Sequence, residues 1–230
     1  MSDDASGANN GGLEPAHVTS SIVMLAALEP GWEDACFPPE ALREWPPSVS
    51  MEGNRKRART AEDTMHGYHG RILNVNLGSG QVDIETFDEM FARQYLGGNG
   101  FAIRLLYERL AAGIDPLAPE NMIVFAVGPT TDTTVPGATR CCAGTKSPLT
   151  GLFFDTTFGG MFAAAQKRSG FEAIAITGRA AEPVYLRVHE DGAEIKPAAD
   201  LWGRYTQETN HAIQEREGGS VEVCAIGPAG

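Results

Sequence analysis

The sequence is poor in thiols, in long apolar runs and in positive charge, and each shortage removes a class of function. Only four cysteines occur in 230 residues. Cys36, Cys141, Cys142 and Cys224 contain no C-x-x-C pair, the spacing that brings two thiolates onto one ion in zinc ribbons and most iron–sulfur sites. They are also too few and too scattered for a disulfide scaffold. The longest apolar runs, Ile22 to Leu28 and Met122 to Val127, fall far short of the roughly 20 residues of a membrane-spanning helix. Lys and Arg number 18 against 30 Asp and Glu, a net charge of −12. That balance argues against a nucleic-acid binder, which needs a dense cationic face, and disfavours adhesion to anionic membranes. Asp3 and Asp4 stand where a secretory signal would carry basic residues, so the expected setting is the cytoplasm.

What remains has the composition of a folded soluble chain, 42% hydrophobic and 21% charged. Its character changes near residue 65. The first 64 residues hold six of the 14 prolines and the Gly/Asn/Ser-rich stretch Ser6 to Gly12, with no sustained period. They read as a disordered or non-native extension, dispensable for folding, with at most a short helix around Ser21 to Leu28. The basic run Arg55-Lys56-Arg57-Ala58-Arg59 reads as a solvated linker cluster, because acidic residues outnumber basic ones in this segment by eleven to five.

From Met65 onward the pattern is that of an α+β domain. Arg71 to Leu77 and Gln81 to Phe87 alternate around Gly78-Ser-Gly80, which predicts a β-hairpin. Asp88 is placed to cap a helix through Leu96, and a second helix runs from about Phe101 to Leu110. Asn121 to Val127 is a continuous apolar run fitting a buried strand. Further strands are expected at Thr139 to Thr145, Glu172 to Thr177, Val184 to His189 and Val221 to Ile226. Short helices are expected at Met161 to Arg168 and Thr206 to Glu217. Cys141 and Cys142 then alternate on one strand, pointing to opposite faces as two small buried hydrophobes.

Two glycine-bearing regions are candidates for chemistry. Gly97-Gly-Asn-Gly100 follows a helix and lacks G-x-G-x-x-G spacing, so it is not a dinucleotide fingerprint; it is either a helix–helix corner or a place where backbone approaches a ligand. Pro136-Gly-Ala-Thr-Arg140, Thr145-Lys-Ser-Pro-Leu-Thr-Gly151 and Thr156-Thr-Phe-Gly-Gly160 flank a strand, the last leading into a helix. An arginine fork with nearby helix-terminal amides suits the phosphate of a small molecule. A turn with a surface arginine is the plainer alternative. His66, His69, His189 and His211 lack partners at ligand spacing, and no metal ligands are assigned.

Met65-His-Gly-Tyr-His-Gly-Arg-Ile-Leu-Asn-Val-Asn-Leu77, Tyr95-Leu-Gly-Gly-Asn-Gly100, Ile114-Asp-Pro-Leu-Ala-Pro-Glu-Asn121, Gly128-Pro129, Thr145 to Gly151, Gly170 to Ile174, Glu182-Pro-Val-Tyr185, Leu201-Trp-Gly203 and Ile226-Gly-Pro-Ala-Gly230 follow one another in an order and spacing that resembles the tungsten-containing aldehyde:ferredoxin oxidoreductase family. The resemblance covers essentially all of residues 65–230. It implies two β-sheets with short helices, forming the base for a tungsten (or molybdenum) bis-pterin cofactor. It also implies oxidation of an aldehyde to a carboxylic acid with ferredoxin as acceptor. In the family, a [4Fe-4S] cluster comes from helical domains that follow this one. The chain ends at Gly230, so the expectation is a cofactor-cradling fragment that needs those C-terminal domains or a partner chain; a homodimer stays open. The alternatives are a non-catalytic pterin-binding or scaffold module, or an inactive truncated product.

Residue by residue, the resemblance implies that Arg140 contacts the pterin phosphate region and that Gly159 and Gly160 form the family's glycine turn. Thr157 stands where the family has asparagine, whose main-chain carbonyl helps hold a magnesium bridging the two pterin phosphates; a backbone contact tolerates threonine there. Phe158 replaces a small residue, so its bulk would crowd the pterin.

Overall fold

The protein is described here by a computed structural model covering residues 24–27, 65–218 and 221–228. Ten strands and four helices follow in the order β1 (Met24–Ala27), β2 (Arg71–Asn76), β3 (Gln81–Thr86), α1 (Glu89–Tyr95), α2 (Asn99–Arg109), β4 (Met122–Val127), β5 (Cys141–Lys146), β6 (Phe153–Phe158), α3 (Phe162–Arg168), β7 (Ala173–Thr177), β8 (Val184–His189), β9 (Gly192–Pro197), α4 (Thr206–Glu217) and β10 (Val221–Cys224). The α+β expectation holds. Among the described residues no helix is long and apolar enough to cross a membrane.

The sequence patterns explain most of these elements. β2 and β3 pair antiparallel from Arg71↔Thr86 to Asn76↔Gln81. Their turn is held by the Asn76 side-chain oxygen, which accepts from the amides of Gly78 and Ser79 at 2.9 and 3.0 Å. Asp88 caps α1 by accepting from the Phe91 amide at 2.8 Å. The continuous apolar run of β4 lies between β7 and β5 in a six-stranded sheet of order β3-β2-β7-β4-β5-β6. A strand so placed is covered on both faces, which is why its pattern does not alternate.

One face of this sheet carries Ile72, Val124, Ala126, Cys142, Ala173 and Ala175 against Phe101, Ala102 and Leu105 of α2. The other face carries Leu73, Phe125, Val127, Cys141, Ile174 and Ile176 against Leu186 and Val188 of β8 and Phe162 of α3. Cys141 and Cys142 thus enter different cores, as alternation requires. A second sheet, of order β10-β1-β8-β9, packs Tyr185 and Val221 against Ile213 of α4.

Three sequence expectations are corrected. Met24–Ala27 is a strand pairing with β10 and β8, not part of a short helix; the rest of residues 1–64 lies outside the described residues. Thr156 to Phe158 do not open a helix but finish β6, and α3 starts only at Phe162. β9 was not expected; it forms a hairpin with β8 across Glu190 and Asp191.

Candidate functional site

Strand register decides which of the candidate residues can meet. Val127 pairs with Cys141, and Cys141 with Phe158. The residue after β4, the residue before β5 and the residue after β6 therefore share one end of the large sheet. These are Gly128, Arg140 and Gly159. Gly98 joins the same rim, its amide donating to the Val127 carbonyl at 3.1 Å. Asn99, the first residue of α2, ties the helix start to β6 through a 2.7 Å bond from Nδ2 to Asp155.

The glycines here divide into two kinds. A Cβ on Gly100 would lie 1.9 Å from the Tyr95 carbonyl oxygen, and one on Gly97 (φ +113°) 2.7 Å from the Val127 carbonyl oxygen. These two make the tight corner between α1 and α2, so for them the packing reading is right. Gly98, Gly128, Gly159 and Gly160 meet nothing within 4 Å on their Cβ side. Their backbone borders open space, the condition for close approach of a ligand.

Arg140 is exposed, and its guanidinium makes no hydrogen bond or ion pair among the described residues. Its backbone is fixed, the amide donating to the Ala138 carbonyl at 2.9 Å. Thr157 is exposed on the face of β6 opposite to Phe158. Phe158 turns into the inter-sheet core, where its ring lies 5.7 Å from that of Phe162 and 6.4 Å from that of Phe125. The crowding expected from its bulk is therefore corrected, since the ring fills the core. Thr145 to Gly151 closes and follows β5, as expected, and so does not join this rim. It lies at the opposite end of β5, where Lys146 pairs with Phe153, and the Ser147 hydroxyl accepts from the amides of Leu149 and Thr150.

A cavity of about 270 Å³ also lies at that opposite end, lined in part by Met122, Ile123, Lys146, Ile176 and Arg179. Its two cations are already engaged. The Lys146 ammonium donates to the Ile114 carbonyl and the Arg179 guanidinium to that of Leu117. This cavity lacks a free charged group, and the Arg140 rim has one.

The described thiols are poor ligands and nucleophiles. Burial pushes Cys142 and Cys224 up to about 11, and Cys141 higher still. Only about one thiol in a thousand with such a pKa is ionised at pH 8. Among the described residues no group of three His, Cys, Asp or Glu is arranged to hold a metal ion. In a Cys36→Ser variant, the native protein at pH 8 should therefore release almost no thionitrobenzoate from Ellman's reagent until it is denatured. Rapid reaction of two thiols in the native state would contradict this.

Sequence reasoning missed Gly98 and Gly128 as rim residues, together with Asp155. Gly98 and Gly128 fell within quoted motifs, but nothing separated them from the packing glycines. Asp155 depends on a partner distant in sequence.

Residues 72–230 match the family model described as aldehyde ferredoxin oxidoreductase, N-terminal domain. Tungsten-containing aldehyde ferredoxin oxidoreductases of Pyrococcus abyssi and Pyrococcus horikoshii are 44% and 42% identical over 167 residues, in each case 72% of this chain and 28% of the relative. An aliphatic sulfonate oxidoreductase WOR-like subunit of Pyrococcus furiosus is 30% identical over 142 residues, 60% of this chain and 22% of the relative. Among solved structures, the active-site complex BamBC of benzoyl coenzyme A reductase with 1,5-dienoyl-CoA superposes with a TM-score of 0.64 at 32% identity, over 66% of this chain and 23% of that one. The chain spans little more than a quarter of the length of the aldehyde-oxidising relatives.

Proposed function

The chain belongs to the aldehyde ferredoxin oxidoreductase family, and from that premise we propose that residues 65–230 are the base that holds a tungsten (or molybdenum) bis-pterin cofactor by its phosphates. The observation that carries this reading is the pairing of an exposed Arg140, without a side-chain partner among the described residues, with the open backbone of Gly159 and Gly160 at one end of the large sheet. These residues fit a phosphorylated group. A guanidinium with no partner among the described residues is available to bond phosphate oxygens in a fork, and glycines whose Cβ side is open let a pterin lie against the main chain. Thr157, beside them on the exposed face of β6, would hold the cofactor's magnesium ion through its main-chain carbonyl.

When bound, the metal–pterin group supplies the two-electron chemistry that oxidises an aldehyde to a carboxylic acid. The protein's part here is positioning. Arg140 balances phosphate charge, and the Gly159–Gly160 turn sets how closely the cofactor approaches the sheet end. Ferredoxin as electron acceptor, a [4Fe-4S] cluster and further cofactor contacts belong to the remainder of the family's length, and a cytoplasmic setting goes with that acceptor.

The test is a chimera in which residues 24–230, β1 included, replace the matching domain of the Pyrococcus abyssi relative. Tungsten by mass spectrometry and pterin by fluorescence after oxidation should approach the loading of the unaltered relative. A folded chimera without pterin would overturn the proposal. Because the Arg140 guanidinium has no partner among the described residues, Arg140→Ala should change the stability of the 230-residue chain by no more than about 0.5 kcal/mol. Thermal melts check this, and a large loss would make Arg140 structural.

A further inference from the structure

The cavity at the end of the sheet away from Arg140 is the open end of the core between the two sheets. Ile123, Phe125 and Ile176 line it from the large sheet, and all three belong to the apolar cluster packed between the sheets. Ile226, just past β10, lines it from the side of the second sheet and is 44% exposed. The polar side chains of the lining are engaged. The Asn121 amide group donates to the carbonyls of Pro116 and Lys146 at 2.7 and 3.1 Å, and the Thr145 hydroxyl to that of Met122 at 2.8 Å. Lys146 and Arg179 are bonded to backbone carbonyls. A polar ligand would find no unpaired partner here, so the space suits an apolar side chain. Its volume of about 270 Å³ has room for one.

The register of the second sheet identifies that side chain. β1 runs antiparallel to β10 with Met24 opposite Cys224, and parallel to β8 with Met24 beside Leu186. Cys224 and Leu186 both belong to the inter-sheet core. Two residues back along the strand, the same register sets Ile22 opposite Ile226 and beside Val184. Positions 22 and 24 share one face of a strand, so position 22 falls on the core face at the cavity. β8 already extends that far, since it starts at Val184 while its pairing with β1 starts at Leu186. Val18 to Val23 contains no charge and no proline, and Ile22 and Val23 are branched residues of high strand preference.

We propose that residues 22 and 23 continue β1 and that Ile22 closes the open end of the inter-sheet core, which makes this chain's own N-terminal segment the occupant of the cavity. β1 lies outside the residues that match the family model, so family membership assigns the segment no role. The docking is independent of the cofactor-site reading. It makes residues 22–27 part of the fold, where composition alone suggests a dispensable extension.

The experiment is methyl magnetic resonance on the 230-residue chain labelled at isoleucine δ1. Ile22→Val, Ile176→Val and Ile226→Val each delete one δ1 signal and so assign it with little loss of volume. Residues opposite each other on antiparallel strands lie about 5 Å apart at Cβ, so a nuclear Overhauser cross-peak should join Ile22 to Ile226 in the wild-type chain. Ile22→Ala should lower the melting temperature by about 4 °C or more, as for an isoleucine truncated inside a core. Xenon should then enter the vacated space and shift the Ile176 and Ile226 signals, and it should leave those of the wild-type chain in place. A missing Ile22–Ile226 cross-peak, an unchanged melt in Ile22→Ala, or equal xenon shifts in the two chains overturns the proposal. Cross-peaks found only between differently labelled copies in a mixed sample would make a second copy the occupant and overturn it as well.

Discussion

Replacing Glu172 by alanine is expected to destabilise the protein by about 3–5 kcal/mol, the cost of leaving a buried charge without its partner. Glu172 is fully buried and holds three donors at once. Oε1 accepts from the His69 amide at 2.6 Å and from Lys167 Nζ at 3.0 Å, and Oε2 accepts from the Arg71 amide at 3.2 Å. Lys167 is itself buried. It donates to the Gly67 carbonyl at 2.6 Å and sits 5.4 Å from the centre of the Tyr68 ring. One carboxylate therefore pins the segment that leads into β2. Each lost kcal/mol should lower the melting temperature by roughly 2–4 °C in a domain of this size.

The substitution series separates charge from hydrogen bonding. Glu172→Gln keeps acceptor capacity but turns an amide group toward a donor, so it should recover part of the loss. The double change Lys167→Met with Glu172→Leu removes both charges. It still leaves the amides of His69 and Arg71 without a partner, each at a cost of about 1–3 kcal/mol. The double variant should thus stay well below wild type, unlike an isolated buried pair replaced by apolar residues. A Glu172→Ala melt within about 2 °C of wild type would contradict the assignment.

Gly100→Ala is expected to cost about 3 kcal/mol or more, because overpacking against fixed backbone cannot be relieved by a side-chain rotation. The added methyl would lie 1.9 Å from the Tyr95 carbonyl oxygen. Relief requires α1 and α2 to move apart, and that breaks the ring contact of Phe91 in α1 with Phe101 in α2, whose centres are 5.0 Å apart. Gly98→Ala is the matched control: its Cβ side is empty, so only its left-handed φ of 52° opposes the change. Equal melting temperatures for the two variants would show that the corner is not tight.

These two sites show what the sequence makes legible. Strands buried on one or both faces, such as β2 and β4, write their position into apolar spacing, and Asp88 announces its helix by capping chemistry. β6 escaped notice because it is an edge strand whose Phe153 and Phe154 are both exposed, so alternation does not mark it. β9 begins at Gly192 and ends at Pro197, residues that normally bound strands instead of belonging to them. Gly97 to Gly100 was legible as a place where backbone comes close to something. Gly100 faces the nearby Tyr95 carbonyl, but the close approach at Gly97 is to Val127 at the end of β4, about 30 positions away, and that is tertiary information. Arg140 was selected by its neighbours in the motif, since an exposed arginine after a Pro-Gly turn has no pattern of its own.

The central claim is that Arg140 holds the cofactor's phosphates, and pterin content per chain in the Arg140 variants of the chimera tests it most directly. A guanidinium bonded to phosphate contributes about 1.5–3 kcal/mol, or tenfold to a hundredfold in affinity. Arg140→Ala should lose most of its pterin during gel filtration at low protein concentration, with an unchanged melt of the cofactor-free 230-residue chain. Arg140→Lys, which retains the charge without the fork, should fall between Arg140→Ala and wild type. Pterin occupancy in Arg140→Ala equal to that of wild type would contradict the account.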